Sequence, residues 1–221
     1  MRAAATLGLA LTSLLLAGAA LATTHDPKAP QTRTSTADTK RANVILLVRS
    51  DFASGWTQAP KQKPLPPCKT EPDESKLVQT ARVDRTFLWK DGITQIGSDV
   101  AAFATVGQAR TDWRLSTLAA TRSCLVETLR HQFGKNVTVL VRSAVALPAP
   151  KLGGRSLHYR LVFDLKGVQT VHGVTELIGV GAGRISVVLH SFSLDRPLSA
   201  SALYALTRVL ARRLVAGSAG I

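Results

Sequence analysis

The sequence predicts an α+β protein, an antiparallel β-sheet with helices beside it, folded as a single domain. Three observations predict it. The second half alternates apolar and polar residues in stretches joined by glycine-containing turns, the pattern of an antiparallel meander. Two segments, near residues 116–133 and 199–215, repeat leucine at helical spacing. Residues 41–215 suffice for one domain with a proper core, are short for two, and contain no internal repeat.

Residues 1–22, MRAAATLGLALTSLLLAGAALA, place one early positive charge before a short apolar run that ends in small residues. That is the pattern of a cleaved secretory signal. The apolar run is shorter than the ~20 residues that span a bilayer, and neither cysteine lies near Ala22 to carry a lipid. The reading is therefore a secreted, soluble protein. Residues 23–40 are polar and threonine-rich, which predicts a disordered leader.

The domain then opens with a short helix from Arg41 to Leu47. In DFASGW, Ser54 and Gly55 favour a turn, with Trp56 folded back as a core plug. β-Branched and aromatic residues on both sides of Asp91-Gly92 predict a hairpin. Gln108 to Trp113 reads as helical, and a second helix runs from Ser116 to Phe133 with Leu118, Leu125, Leu129 and Phe133 in one stripe. Valines 137, 139, 141 and 145 mark a strand, and LHYRLVFDL alternates more strictly still. Lys166-Gly167 predicts a tight turn into the next strand, and Gly181 to Gly183 another. GVGAGR looks like a phosphate loop, but the strand-like RISVVLHSF follows it where a helix would have to. The last helix, SASALYALTRVLARRLV, turns Leu203, Leu206, Leu210 and Leu214 inward and leaves Arg208 and Arg212 off that stripe. Residues 216–221 are expected to be a flexible tail.

Twenty-eight lysines and arginines face 14 acidic residues, a formal charge of +14. For an exported protein this surplus favours an anionic envelope polymer or lipid surface over nucleic acid, and no nucleic-acid-binding motif is present. Two cysteines in an oxidising compartment favour one disulfide, Cys68 to Cys124, over a reactive thiol or a metal site. His131 stands seven residues beyond Cys124, about 10 Å along the same helix, too far for a nucleophile–base pair. With two-residue turns in the meander, His158, Thr175 and His190 share one row of the sheet, and His158, Arg160 and His190 become candidate ligand contacts, subject to register. No catalytic residue, metal site or cofactor is assigned.

The order of short helix, DFASGW, cysteine in a proline-rich loop, ESKLVQTARVDRTF, helix with the second cysteine, SLHYRLVF, glycine hairpin and ALTRVLARRL resembles a diverse group of exported actinobacterial proteins. Many of these are lipoproteins or extracellular sensor-like domains. The layout is similar to the extracellular sensor domain of a mycobacterial serine/threonine kinase and, more remotely, to PsbP-like proteins. The resemblance implies a sheet sandwiched by helices, a helix-to-loop disulfide on Cys68 and Cys124, and a non-catalytic binding or sensing role. The chain departs from it by lacking a lipid-acceptor cysteine, a membrane span and a kinase domain. The leading functional expectation is a secreted ligand-binding or sensor-like module with an unknown, anionic ligand in a cleft between sheet and helices. The alternative is peripheral association with anionic polymers or lipids through Arg208, Arg212 and Arg213; a hydrolase is the third.

Overall fold

Apolar residues on both sides of the same strands require cover on both sides, and helices supply it. The computed structural model describes residues 27–61, 68–134, 136–152 and 154–218; the predicted signal segment lies outside them. In chain order the elements are β1 (Gln31–Thr32), α1 (Thr36–Ile45), a 3-10 turn (Arg49–Asp51), β2 (Trp56–Gln58), β3 (Val78–Trp89), β4 (Gln95–Phe103), α2 (Val106–Leu115), α3 (Leu118–Phe133), β5 (Thr138–Ala146), β6 (Arg155–Lys166), β7 (Thr170–Ala182), β8 (Ile185–Leu194) and α4 (Ala200–Ser218). The sheet runs β1-β3-β4-β8-β7-β6-β5, with β2 also on β3. β1 pairs with β3 in parallel; the other pairings are antiparallel. This is the expected α+β sandwich.

On the first face, Phe87, Ile96, Val100, Ile178, Val187 and Leu189 pack against α1 and α4. Leu203, Leu206, Leu210 and Leu214 all point inward, as the leucine spacing predicts. Trp56 joins this core, its ring 5.2 Å from Phe52 and 5.4 Å from Trp89. The second face carries two separate clusters. α3 places Leu125 and Leu129 on Val139, Leu161, Phe163 and Phe192, whereas α2 places Ala109 on Leu77 and Phe103.

Several expectations are corrected. Within the predicted disordered leader, Gln31–Thr32 forms β1 and Thr36 opens α1, so the first helix spans 36–45 instead of 41–47. The chain is fixed there by backbone bonds, Gln31 N–H to Leu77 O at 2.8 Å and Ser35 N–H to Thr80 O at 2.8 Å. Ser35 caps the helix by accepting from the Asp38 N–H, and the Asp38 carboxylate accepts two bonds from Arg184 at 2.8 and 2.6 Å. Composition alone hides these anchors. At the other end α4 continues to Ser218, into the predicted tail, with Gly217 against Ile45.

Register also departs from expectation. The β6–β7 connection has three residues, Gly167 to Gln169, because Lys166 pairs with Thr170. β7 and β8 join through Gly183-Arg184, with Gly183 at φ +54°, a conformation that favours glycine. In β5 the pairing slips between Val141 and Ser143, so Arg142 is a bulge. Val145 then turns outward and is 40% exposed, out of phase with buried Val139.

Cys68 and Cys124 are bonded, with Cα atoms 5.3 Å apart. Reduction is expected to cost on the order of 4 kcal/mol by the chain-entropy argument, seen as a lower denaturant midpoint; an unchanged midpoint would remove the crosslink from the stability account. Arg184→Ala leaves the buried Asp38 carboxylate without its main partner and is expected to cost about 3–5 kcal/mol. A loss under about 1 kcal/mol in urea titration would show that apolar contacts alone dock α1.

Candidate functional site

Antiparallel pairing puts Arg160 opposite Glu176 and His158 opposite Ile178 on the first face. His158 is 2% exposed; its Nε2 lies 2.6 Å from Glu176 Oε2 and its Nδ1 3.3 Å from the Tyr204 hydroxyl of α4. Arg160 donates to Glu176 Oε1 at 3.0 Å. Burial raises the Glu176 pKa, but the His158 and Arg160 hydrogen bonds and the Arg160 charge outweigh it, leaving this carboxyl below its ordinary value. Each member is thus already held by another. The group is an internal polar clasp joining α4 to the sheet.

His190 lies on the opposite face. It pairs across to Leu177 and Gly97, so the expected row of His158, Thr175 and His190 does not form. The three-residue β6–β7 loop changes the parity of that pairing and carries His158 to the other side of the sheet. Thr175 stays on the His190 side and is consumed by its own bond to Ser191 O at 2.7 Å.

What surrounds His190 was not singled out from sequence. Gly97 stands between Thr86 on β3 and His190 on β8. A Cβ at Gly97 would meet His190 Nε2 at 2.1 Å and Thr86 Oγ1 at 2.9 Å, so glycine is what admits both groups. Gln95, two residues earlier, lies on the same face of β4. His190 is 5%, Thr86 5% and Gln95 2% exposed, yet His190 Nε2, Thr86 Oγ1 and Gln95 Oε1 have no hydrogen-bond partner among the described residues. Leaving one such atom unmade costs about 1–3 kcal/mol. Two of them, His190 Nε2 and Thr86 Oγ1, meet at Gly97, with Gln95 two residues away on the same face of β4; we call this polar spot the niche. It lies on the strip of sheet between the α3 cluster, which reaches Phe192, and the α2 cluster, which reaches Phe103. A glycine inside a strand is the one sequence signal that marks it.

Towards α2 the same face is charged. Arg82 donates to Asp99 Oδ2 through Nε at 3.2 Å and Nη2 at 2.9 Å. Burial nevertheless raises the Asp99 pKa, against the charge and hydrogen bond of Arg82. Asp112 on α2 is pushed up to about 6, mainly by burial, with Arg82 and Arg155 opposing and Asp99 adding to the rise. Arg155 lies 5.8 Å from the Trp113 ring centre. Acids and bases alternate here, so this end selects no sign of charge.

The three arginines expected on the surface divide. Arg213 is bound to Asp51 through two bonds at 2.8 and 2.7 Å and to Leu46 O at 2.8 Å, which makes it a tie between α4 and the 3-10 turn. Arg208 and Arg212 are exposed and border a groove of about 810 Å³ on the outer side of α4. Among the described residues no group of three or more His, Cys, Asp or Glu side chains could hold a metal ion, and no helix is long and apolar enough to cross a membrane.

This geometry defines a two-sided α+β sandwich with a polar niche under one helical layer. No protein-family model matches the chain. No curated protein matches it by sequence. Among solved structures the chain is similar to the extracellular domain of PknH from Mycobacterium tuberculosis, at 11% identity over 79% of this chain and 95% of that one, with a TM-score of 0.43. No residue role, ligand or activity is carried over from it.

His190 and Asp112 set opposite pH dependences. Burial lowers the His190 pKa from 6.5 to about 4. Between those values the unfolded imidazole holds a proton that the folded one does not, so this contribution to stability grows as pH rises. Asp112 is protonated when folded up to about pH 6 but only to 3.8 when unfolded, so its contribution shrinks over that range. His190→Gln is expected to make stability fall more steeply as pH rises from 4 to 6, and Asp112→Asn to make it climb. Denaturant midpoints at pH 4, 5, 6 and 7 give both slopes. Equal slopes in wild type and both variants would contradict the burial argument.

Proposed function

We propose that this protein is an exported, non-enzymatic binding or sensor-like module whose ligand occupies the strip between α2 and α3. The observation that carries the reading is three buried polar atoms without a hydrogen-bond partner among the described residues, His190 Nε2, Thr86 Oγ1 and Gln95 Oε1, the first two meeting at Gly97. A ligand that supplies their hydrogen bonds recovers a cost already present in the unliganded fold. At neutral pH the lowered pKa of His190 keeps its imidazole uncharged, and the other two groups are a hydroxyl and an amide carbonyl. Such an inventory suits an uncharged, hydroxyl-rich group such as a sugar or polyol, in place of the anion expected from net charge.

Export fits the Cys68–Cys124 bond, since disulfides persist in oxidising compartments. Signal cleavage after Ala22 is part of the same proposal. A non-catalytic role fits the His158 geometry. Its relay-like contact to Glu176 is buried and that to Tyr204 part-buried, and the Tyr204 hydroxyl also lies 3.4 Å from Pro148 O as a donor. That hydroxyl is thus engaged with the backbone.

The test is a thermal-shift and calorimetric titration with glucose, N-acetylglucosamine and inositol, alongside phosphate and glucuronate. A neutral polyol is expected to raise the melting temperature saturably, and Gly97→Ala, which must displace His190, is expected to abolish the shift while the protein stays folded. A flat response to every neutral probe, with a crystal structure showing only ordered water on the three atoms, would overturn the proposal.

A further inference from the structure

We infer that the outer side of the α1–α4 layer is a docking surface for an anionic lipid bilayer. The surface is independent of the niche, on the opposite face of the sheet. α4 contains three arginines and no acidic residue between Ala200 and Ser218. The single acid of α1, Asp38, is 3% exposed and turned inward onto Arg184. What α1 and α4 offer outward is therefore cationic, apolar or neutral polar, Asn43 and Ser201 among the last, with no exposed carboxylate. Lys40, Arg41, Arg208 and Arg212 supply the charge. Arg41 makes a 3.5 Å contact with Asp38 across one helical turn, and no carboxylate among the described residues lies within ion-pair distance of Lys40, Arg208 or Arg212.

The apolar component lies between these cations. Leu152, Ala205, Val209 and Val215 line the groove that Arg208 and Arg212 border. A second groove, of about 310 Å³, lies where α1 meets the end of α4, lined by Ala37, Val44 and Gly217 together with Lys40 and Arg41. Val44 is 66% and Val215 54% exposed, two of the few large apolar side chains the fold leaves in water. A soluble polyanion would satisfy the cations and leave these valines hydrated. A phospholipid surface satisfies both, because headgroup charge meets the arginines and lysine while the boundary above the acyl chains takes the valines. A neutral membrane would offer the cations nothing.

The test is co-sedimentation of the protein, purified from an exporting host, with vesicles of phosphatidylglycerol and phosphatidylcholine and with phosphatidylcholine alone. Binding is expected only to the anionic vesicles and should weaken as salt rises from 50 to 300 mM, concentrations chosen to shorten the screening length. Replacing Arg208 and Arg212 by serine should lower the apparent partition coefficient roughly 25-fold, about fivefold for each basic residue at a bilayer surface. Val44→Ser with Val215→Ser should lower it further at high salt, where charge is screened. Equal binding to neutral vesicles would overturn the inference, as would binding that survives loss of both arginines. Retention by polyphosphate without any vesicle binding would overturn it too, in favour of a polymer partner.

Discussion

Which side of the sheet a side chain meets is decided at the connection between β6 and β7. Three residues close that loop, so even-numbered positions of β6 lie opposite even-numbered positions of β7. His158 and Arg160 are thereby brought to Glu176 and to α4, and Leu161, Phe163 and Leu165 to α3. A two-residue loop would exchange these sets, placing an unmatched imidazole and arginine under α3 and aromatic side chains under α4. Each face has one acceptable occupant set. The cost of burying unpaired charge enforces the pairing as firmly as any hydrogen bond of the turn.

Given that constraint, the two sides do different physical work. Beneath α1 and α4 the buried carboxylates are each matched by a cation or imidazole: Glu176 by two neighbours, Asp38 by Arg184, Asp51 by Arg213. Breaking any of these leaves a buried charge, so the layer is rigid by construction. Beneath α2 and α3 the matching is incomplete. Two apolar clusters are separated by a strip whose imidazole and carboxyl titrate in opposite directions because of burial. Such a strip is where a fold yields stability to recognition.

Much of the architecture could be read from residue spacing. The α4 stripe, the Trp56 plug and the succession of meander strands are local patterns and formed where the pattern placed them; of the α3 stripe Leu125, Leu129 and Phe133 reach the core, whereas Leu118 stays half-buried outside it. What failed was non-local. Thr36 to Lys40 reads as polar linker because its partners, Leu77, Thr80 and Arg184, are remote in sequence. The β6–β7 loop length is decided by one residue, and Lys166-Gly167 marks a turn without giving its length. Arg213 looks like its neighbours Arg208 and Arg212 until Asp51 is folded beneath it. His190 was singled out, but its surroundings were not, since Thr86, Gln95 and Gly97 sit in a hairpin whose pairing with β8 crosses two helices.

The bulge at Arg142 bears on how the molecule behaves among copies of itself. β5 is the last strand on its side of the sheet, and an uninterrupted rim would present free amides and carbonyls to a neighbouring molecule. By inserting an extra residue midway, and directing its guanidinium at Asp164 with His172 on the same carboxylate, the chain bends that rim and gives it a charge. A strand from a second molecule would have to straighten the bend and desolvate the arginine before it could pair. The defect in the ladder is a barrier to fibre growth.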